Sequence, residues 1–288
     1  MNEFNKNIIS IYGTEGRQWL YELPTIISEV AKQYHLTELV PVSNMSFNYV
    51  ASGYQDSRPI ILKLGLNSKA LVKETHCLRT FTNHSAAEVL ANDNNMIIME
   101  RSVPGTTLKE YFPVKDIEAT AIFCSVLNEL HSANVPDKHD FYHVKDLLKT
   151  LDNQLDIPDS ILSKSRRLRD NLLSSTDKEV LLHGDLHHDN ILKNGDEWLV
   201  IDPKGFIGDP AFEPAAYLCN PIPELLQEDT KKILSDRIKL CVEKLEIPEQ
   251  RIKDWLYVKS VLCWAWSLED NLDPKYWLKF ISMLVSAQ

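Results

Sequence analysis

The chain has 288 residues, 44% of them hydrophobic and 25% charged, and carries 31 Lys and Arg against 41 Asp and Glu, a net charge of −10. With nine glycines, fourteen prolines and apolar residues spread throughout, collagen-like, low-complexity and disordered classes are excluded, and the length gives one large domain or two lobes. The acidic balance argues against nucleic acid or an anionic membrane as the main partner and leaves room for a cationic small molecule.

Apolar positions at helical spacing (Trp19, Leu20, Leu23, Ile26, Ile27, Val30) predict helix over 17–35, split into two pieces by Pro24. Strand-like segments follow at 39–42, 47–50 and 59–64, separated by a polar turn at 43–46 and by Gly53, the pattern of an antiparallel meander. A helix is predicted over 68–82, with Leu71, Leu78 and Phe81 on one face, then short strands at 87–90 and 96–99 and a turn at 103–106. From there the pattern is mainly helical, over 116–133, 143–154, 158–174, 222–245, 248–269 and 274–286. The exception is 180–202, where short strands at 180–182, 191–192 and 198–201 surround a polar loop and an Asn194-Gly195 hairpin turn. The fold class is therefore α+β, in a small N-terminal lobe (1–101) and a larger, mainly helical lobe (102–288). The first lobe holds nine Lys and Arg against ten Asp and Glu, so the second carries nearly all the negative excess.

The five cysteines are odd in number and widely spaced, with no C-x-x-C, which is a reduced, cytoplasmic pattern. The first residues lack a basic start followed by an apolar stretch, and no apolar run approaches about 18 residues, so neither a secretory signal nor a membrane span is expected.

The densest cluster of unusual residues is His183-Gly-Asp-Leu-His-His-Asp-Asn190, followed by Ile201-Asp-Pro-Lys-Gly205. Phosphoryl transfer from a nucleotide asks for magnesium to neutralise phosphates and a carboxylate to orient the attacking hydroxyl. A hard cation takes oxygen ligands. Asp185, Asn190 and Asp202, on one loop and the end of the next strand, supply these groups. A metal site from His183, His187 and His188 is disfavoured, because Gly184 opposes a helix there and no H-E-x-x-H is present.

The string Leu182 to Leu192, with Val200-Ile-Asp-Pro-Lys-Gly-Phe-Ile-Gly-Asp-Pro-Ala-Phe-Glu213, resembles the catalytic and metal-binding segments of the aminoglycoside phosphotransferases. Within that family it is similar to the streptomycin 6-kinase and hydroxyurea-resistance branch. The resemblance covers about 17–288 and implies a bilobal protein-kinase-like fold. Protein kinases have Arg where this chain has Gly184, and Asp-Phe-Gly where it has Asp202-Pro-Lys. The resemblance assigns Asp185 as the catalytic carboxylate, Asn190 and Asp202 as magnesium ligands, and His183 as a brace for the loop. Lys204 is left between a phosphate contact and a solvated lysine.

Such a kinase holds ATP phosphates with a strand lysine fixed by a helical glutamate. Lys63 lies in an apolar run, where a lone lysine is costly unless paired. Glu74, on the inward face of the 68–82 helix, is the expected partner. No G-x-G-x-x-G is present; the equivalent turn is 43–48, with Ser46 as the phosphate-cradling candidate. Glu100 and Arg101 resemble the hinge whose backbone reads the adenine edge.

Acceptors in this family bind over the helical lobe, whose negative charge suits a polycation. Asp209, Glu213, Glu269 and Asp270 are candidate contacts, with Trp266 as a cover for a sugar or cation. Trp264 and Trp266 are two apart, so on a helix one faces the core. The expected activity is an ATP- and magnesium-dependent phosphotransferase acting on a hydroxyl of a small, cationic molecule, most simply an aminoglycoside such as streptomycin, in a cytoplasmic monomer or homodimer. A kinase of a sugar, choline or amino alcohol is the alternative, and a nucleotide-binding pseudokinase a third reading. The intact set Lys63, Glu74, Asp185, Asn190 and Asp202 weighs against the last.

Overall fold

The computed structural model describes residues 3–43, 45–137 and 139–285. The first helix, α1 (Glu3–Gln33), starts earlier than the sequence pattern shows and bends at Gly13 (φ 57, ψ −120), not at Pro24. Pro24 lies on the exposed face, and the helix continues through it. The opposite face buries Phe4, Ile8, Trp19 and Leu23 against the first sheet.

That sheet comprises β1 (Leu36–Pro41), β2 (Tyr49–Gln55), β3 (Arg58–Leu64), β4 (Val89–Asp93) and β5 (Met96–Glu100), in the order β1-β2-β3-β5-β4, all antiparallel. Between β3 and β4 runs α2 (Ser68–Thr80), N-capped by Asn67, whose side chain accepts from Ala70 N–H. The two-residue period of β3 decides what the site receives. Ile60, Leu62 and Leu64 pack on the α1 side. Ile61 packs with Leu71 and Leu78 of α2 on the other side, and Lys63 shares that face.

The chain then forms β6 (Pro104–Thr107), α3 (Asp116–His131), β7 (Tyr142–His143), α4 (Val144–Leu147) and α5 (Asp159–Ser174). After these come β8 (Val180–Leu182), β9 (Ile191–Asn194), β10 (Glu197–Val200), β11 (Phe206–Gly208) and α6 (Pro214–Leu218). It closes with α7 (Thr230–Leu245), α8 (Glu249–Glu269) and α9 (Lys275–Val285). The segment expected as a turn at 103–106 is β6, which pairs with β9. The helix expected over 143–154 is one turn of α-helix followed by the 3-10 helix Leu148–Asp152. That expected over 222–245 begins as the 3-10 helix Glu224–Gln227, because Pro221 and Pro223 break the start; α7 begins after its Asp229 cap.

In the large lobe α8 is buried along most of its length, with Trp255, Val258, Val261 and Leu262 packed among α4, α5 and α9 side chains. Beneath the loop between β8 and β9 lies a charged core. Arg237 is fully buried and donates to Asp116 (2.6 and 2.9 Å) and to the carbonyls of Tyr217, Leu218 and Asn220. His188 stacks on Tyr217 (4.2 Å between ring centres) and sits 3.4 Å from the same guanidinium.

The β9–β10 hairpin touches both sides of the connection between the lobes. Ala87 N–H donates to Val200 and Val200 N–H to Ser85, at 3.0 and 2.7 Å. Gly195 N–H donates to the Val103 carbonyl (2.7 Å), and Asn194 Nδ2 to the Glu100 carboxylate (2.9 Å). Among the described residues no helix is long and apolar enough to cross a membrane.

Candidate active site

A cavity of about 970 Å³ lies between the lobes, lined by Ser46, Asn48, Lys63, Glu74, Glu100 and Arg101 from one side and by Asp185, Asp202 and Lys204 from the other. Lys63 Nζ is 2.8 Å from both Glu74 oxygens and 2.7 Å from Asp202 Oδ1. The pairing expected from the sequence is present, and it extends to a residue 139 positions away. Burial pulls the Lys63 amine down, but Glu74 and Asp202 outweigh it, and its pKa sits above the ordinary lysine value. Burial likewise pushes Asp202 up, and Lys63 more than reverses this, so the carboxyl stays ionised below its usual range. Burial raises the Glu74 pKa, against the pull of Lys63.

Ser46 is exposed on the loop between β1 and β2, and its carbonyl accepts from Asn7 Nδ2 at 3.2 Å. Asn44, part of the expected phosphate-cradling turn, lies outside the described residues. At the connection, the Glu100 side chain is held by Asn194 and by Glu88 N–H, and the Arg101 guanidinium lies 4.9 Å from the Tyr54 ring. Both side chains brace the connection while its backbone borders the cavity.

The 183–190 loop is fixed from below. Gly184 has φ 86, and a Cβ there would lie 2.6 Å from Phe206 Cδ2, so only glycine fits where protein kinases carry arginine. Its N–H donates to both oxygens of Glu213, at 2.9 and 3.2 Å. His183 is fully buried; its Nε2–H donates to the Ile201 carbonyl (2.8 Å) and its Nδ1 accepts from Asp185 N–H (3.3 Å). Burial lowers its pKa to about 4, so the ring is neutral and serves as a brace. The 3-10 helix His188–Asn190 turns Asn190 back, and its Nδ2 donates to the Asp185 carbonyl at 2.9 Å, leaving the amide oxygen for another partner. Pairing of Ile191 with Val200 and the Ile201 N–H to Asn190 carbonyl bond (3.1 Å) bring Asn190 alongside the start of the Asp202 segment. Asp202 adopts φ 60, a left-handed conformation uncommon outside glycine and frequent at functional positions.

A second cavity of about 370 Å³ continues past Asp185, lined by His187, Asn220, Lys259, Trp266, Asp270 and Trp277, among others. Trp264 is buried in the core and Trp266 faces the cavity, the division expected of two tryptophans two residues apart. Asp270 lines it. Glu269 is exposed and accepts from Asn153 Nδ2 at 3.1 Å.

Asp209 and Glu213, named from the sequence as acceptor contacts, are instead interior. Asp209 caps the 3-10 helix Pro210–Phe212 and binds Trp255 Nε1 (2.6 Å) and Arg251. Glu213 is spent on Gly184, and burial pushes its pKa up to about 7. Both follow a run of Gly and Pro that reads as a surface loop; helix packing covers it. Lys259 was not singled out, although a lysine inside the apolar stretch 255–262 carries the same signal that drew attention to Lys63.

A two-lobed fold with an antiparallel sheet above a helical lobe, and an Asp–Asn–Asp set beside a strand lysine, defines a kinase-like phosphotransferase. The chain belongs to the aminoglycoside/hydroxyurea antibiotic resistance kinase family, which it matches over residues 34–271. It is a phosphotransferase that acts on a hydroxyl group. It is 26% identical to a streptomycin 6-kinase of Streptomyces glaucescens over 282 residues, covering 91% of this chain and 90% of that protein. Its fold is similar to that of a thermostable variant of the aminoglycoside phosphotransferase APH(4)-Ia in ternary complex with AMP-PNP and hygromycin B. There the TM-score is 0.67 at 15% identity, covering 90% of this chain and 97% of the other. It is also similar to the choline kinase LicA of Streptococcus pneumoniae, with a TM-score of 0.66 at 13% identity, covering 92% and 98%.

Proposed function

We propose that this chain transfers the γ-phosphoryl group of ATP, with magnesium, to a hydroxyl of an aminoglycoside of the streptomycin type. Residues 1–101 would bind the nucleotide, and 102–288 would carry the catalytic loop and the acceptor site. The observation that carries the reading is the position of Asp185. Its carboxylate borders both cavities, one holding the Lys63–Glu74–Asp202 cluster and the other lined by two tryptophans and Asp270.

The donor set fits magnesium. Among the described residues no group of three or more His, Cys, Asp or Glu is arranged to hold a metal alone. Asp202 lines the cavity and Asn190, buried alongside the start of its segment, has an amide oxygen to offer; a small hard cation of this kind draws its remaining ligands from phosphates and water. When bound, it neutralises the charge on the phosphates. Lys63, kept protonated by its two carboxylates, holds the phosphates on the small-lobe side. Glu74 keeps that ammonium on its rotamer, and the hinge backbone at 100–101 borders the base, with Ser46 at the phosphate end. Asp185 accepts the hydrogen bond of the acceptor hydroxyl, orienting its oxygen toward the phosphorus and receiving the proton as the bond forms. Trp266, Asp270 and, at the rim, Glu269 offer aromatic faces and carboxylates to a cationic sugar. The streptomycin 6-kinase likeness and the relative that binds AMP-PNP and hygromycin B support this choice of nucleotide and acceptor class.

The test is a panel of streptomycin, other aminoglycosides, choline and simple sugars, with ADP release as readout. Streptomycin should turn over, and its KM should rise as salt increases, because screening acts over about 8–10 Å. Asp270→Asn should raise that KM more than it lowers kcat. Turnover of choline or a neutral sugar, with none of any aminoglycoside, would refute the acceptor class.

A further inference from the structure

Three residues line both cavities: Asp185, Trp266 and Lys259. The phosphoryl group that leaves one cavity for the other must pass them. Lys259 is 5% exposed, in the middle of α8, on the helix face that also carries Cys263, Trp266, Ser267 and Asp270 into the acceptor cavity. Among the described residues its ammonium makes no hydrogen bond and no ion pair. Two aromatic faces flank it, Trp266 at 5.0 Å and Phe212 at 5.2 Å from the ring centres. Glu213, a nearby buried carboxylate, has both oxygens engaged by Gly184 N–H.

Glu213 acts on Lys259 only through space, since no direct ion pair joins them; a buried lysine with no direct partner is expensive, and aromatic faces recover only part of the lost hydration. Such a group is retained where an anion arrives. A polycationic acceptor is not that anion, but a phosphoryl group is. On the nucleotide side Lys63 already meets the phosphates; among the described residues Lys259 is the one lysine or arginine lining the second cavity.

We propose that Lys259 is the acceptor-side cation of the transfer, contacting the equatorial oxygens of the phosphoryl group as it crosses from nucleotide to acceptor. This rests on the phosphotransferase reading above and names a catalytic residue within it. The acceptor oxygen forms its bond to phosphorus as the bond to the bridging oxygen breaks. That electron pair leaves with ADP, and the hydroxyl proton passes to Asp185. Charge on the three equatorial oxygens is then shared between Lys63 on one side and Lys259 on the other, so stabilisation is present where the group moves. It also separates two jobs in one pocket: Asp270 and the tryptophans meet the cationic acceptor near the open end, and Lys259 repels it from the depth the phosphoryl group occupies.

The test uses Lys259→Met, which keeps the apolar stem, with Lys259→Gln beside it, so that a packing defect in one variant is not taken for loss of charge. Lys259→Arg serves as the charge-keeping rescue. With the acceptor found by the panel, Met and Gln should lower kcat by about 10²–10³, while the KM for ATP stays within about threefold. Arg should recover part of the loss. A second readout needs no acceptor. Aluminium fluoride with ADP and magnesium mimics the moving phosphoryl group, so the wild-type chain should bind this mixture more tightly than ADP and magnesium alone. Met and Gln should lose that increment with ADP affinity unchanged. The proposal is overturned if the increment is absent in the wild type or intact in both variants, or if ADP affinity falls as far as turnover does. A wild-type chain that phosphorylates no acceptor refutes the functional reading, and the aluminium fluoride measurement still decides the role of Lys259.

Discussion

Replacing Asp116 with alanine should destabilise the large lobe out of proportion to the three atoms removed from its carboxylate. Arg237 is fully buried and, among the described residues, its one acidic partner is Asp116, its other contacts being the carbonyls of Tyr217, Leu218 and Asn220 and the ring of His188. Removing the carboxylate strands a guanidinium in the interior, at a cost of about 3–5 kcal/mol. With about 2.1 cal/mol/K of unfolding entropy per residue over 288 residues, that lowers Tm by about 5–8 °C. The double variant Asp116→Ala, Arg237→Met removes both charges and should recover much of the loss, because a matched apolar pair avoids the desolvation of both ions. His188 rests on the same guanidinium and on Tyr217. The single variant should therefore lose turnover at temperatures where far-UV circular dichroism is still native. Calorimetry and circular dichroism on the four chains measure this. A single-variant shift below about 2 °C, or a double variant at the sum of the two singles, would show that the pair is not coupled as described.

Asp185→Ala should lower turnover by about 10²–10⁴ while leaving nucleotide affinity by calorimetry unchanged; loss of nucleotide binding in step with turnover would remove its role as acceptor-side base. Asp202→Ala and Asn190→Ala should both raise the magnesium concentration needed for half-maximal rate, the carboxylate more than the amide, and overlapping titrations would cancel the metal-ligand assignment. Glu213, raised by burial from 4.5 to about 7, binds its proton more tightly in the folded chain than in the unfolded one. Its contribution to stability is therefore full below pH 4.5 and is lost as pH rises through about 7. Glu213→Gln should flatten Tm against pH across that window, and parallel curves for the two proteins would refute this.

Sequence was most informative where one residue type contradicts its surroundings or where a turn needs a specific residue. Lys63 stands out because strand alternation puts a charge in an apolar run, and Glu74 because helical spacing turns it inward. The β9–β10 hairpin is announced by Asn194-Gly195. Short strands with distant partners leave no such mark. Tyr142–His143 pairs in parallel with Phe206–Ile207, and neither pair differs from ordinary loop composition. Pro24 misled because the penalty for proline in a helix depends on which face the freed carbonyl meets, and that depends on packing. Asp209 and Glu213 misled for a related reason: carboxylates after a Gly-Pro turn look solvated until α8 is laid over them. Lys259 carried the same mark as Lys63, a charge inside the apolar stretch 255–262, but a helix buried on nearly every side does not say which face will meet the loop at 183–190.

The hairpin contacts at Ser85, Ala87, Glu100 and Val103 act as stitching along the back of the cleft. A book bound along one spine opens only at its fore-edge. Here the fore-edge is the end of α8 and the 270–277 turn, where Asp270, Leu272 and Trp277 border the second cavity, the proposed acceptor site. On the proposed reading, changes at that edge should alter which molecules are admitted without disturbing the alignment of Lys63, Asp185 and Asp202. A drug-modifying enzyme bound in this way can drift in what it accepts by substitutions at a few edge positions, each screened for new acceptors one at a time, while its phosphoryl chemistry stays fixed at the spine.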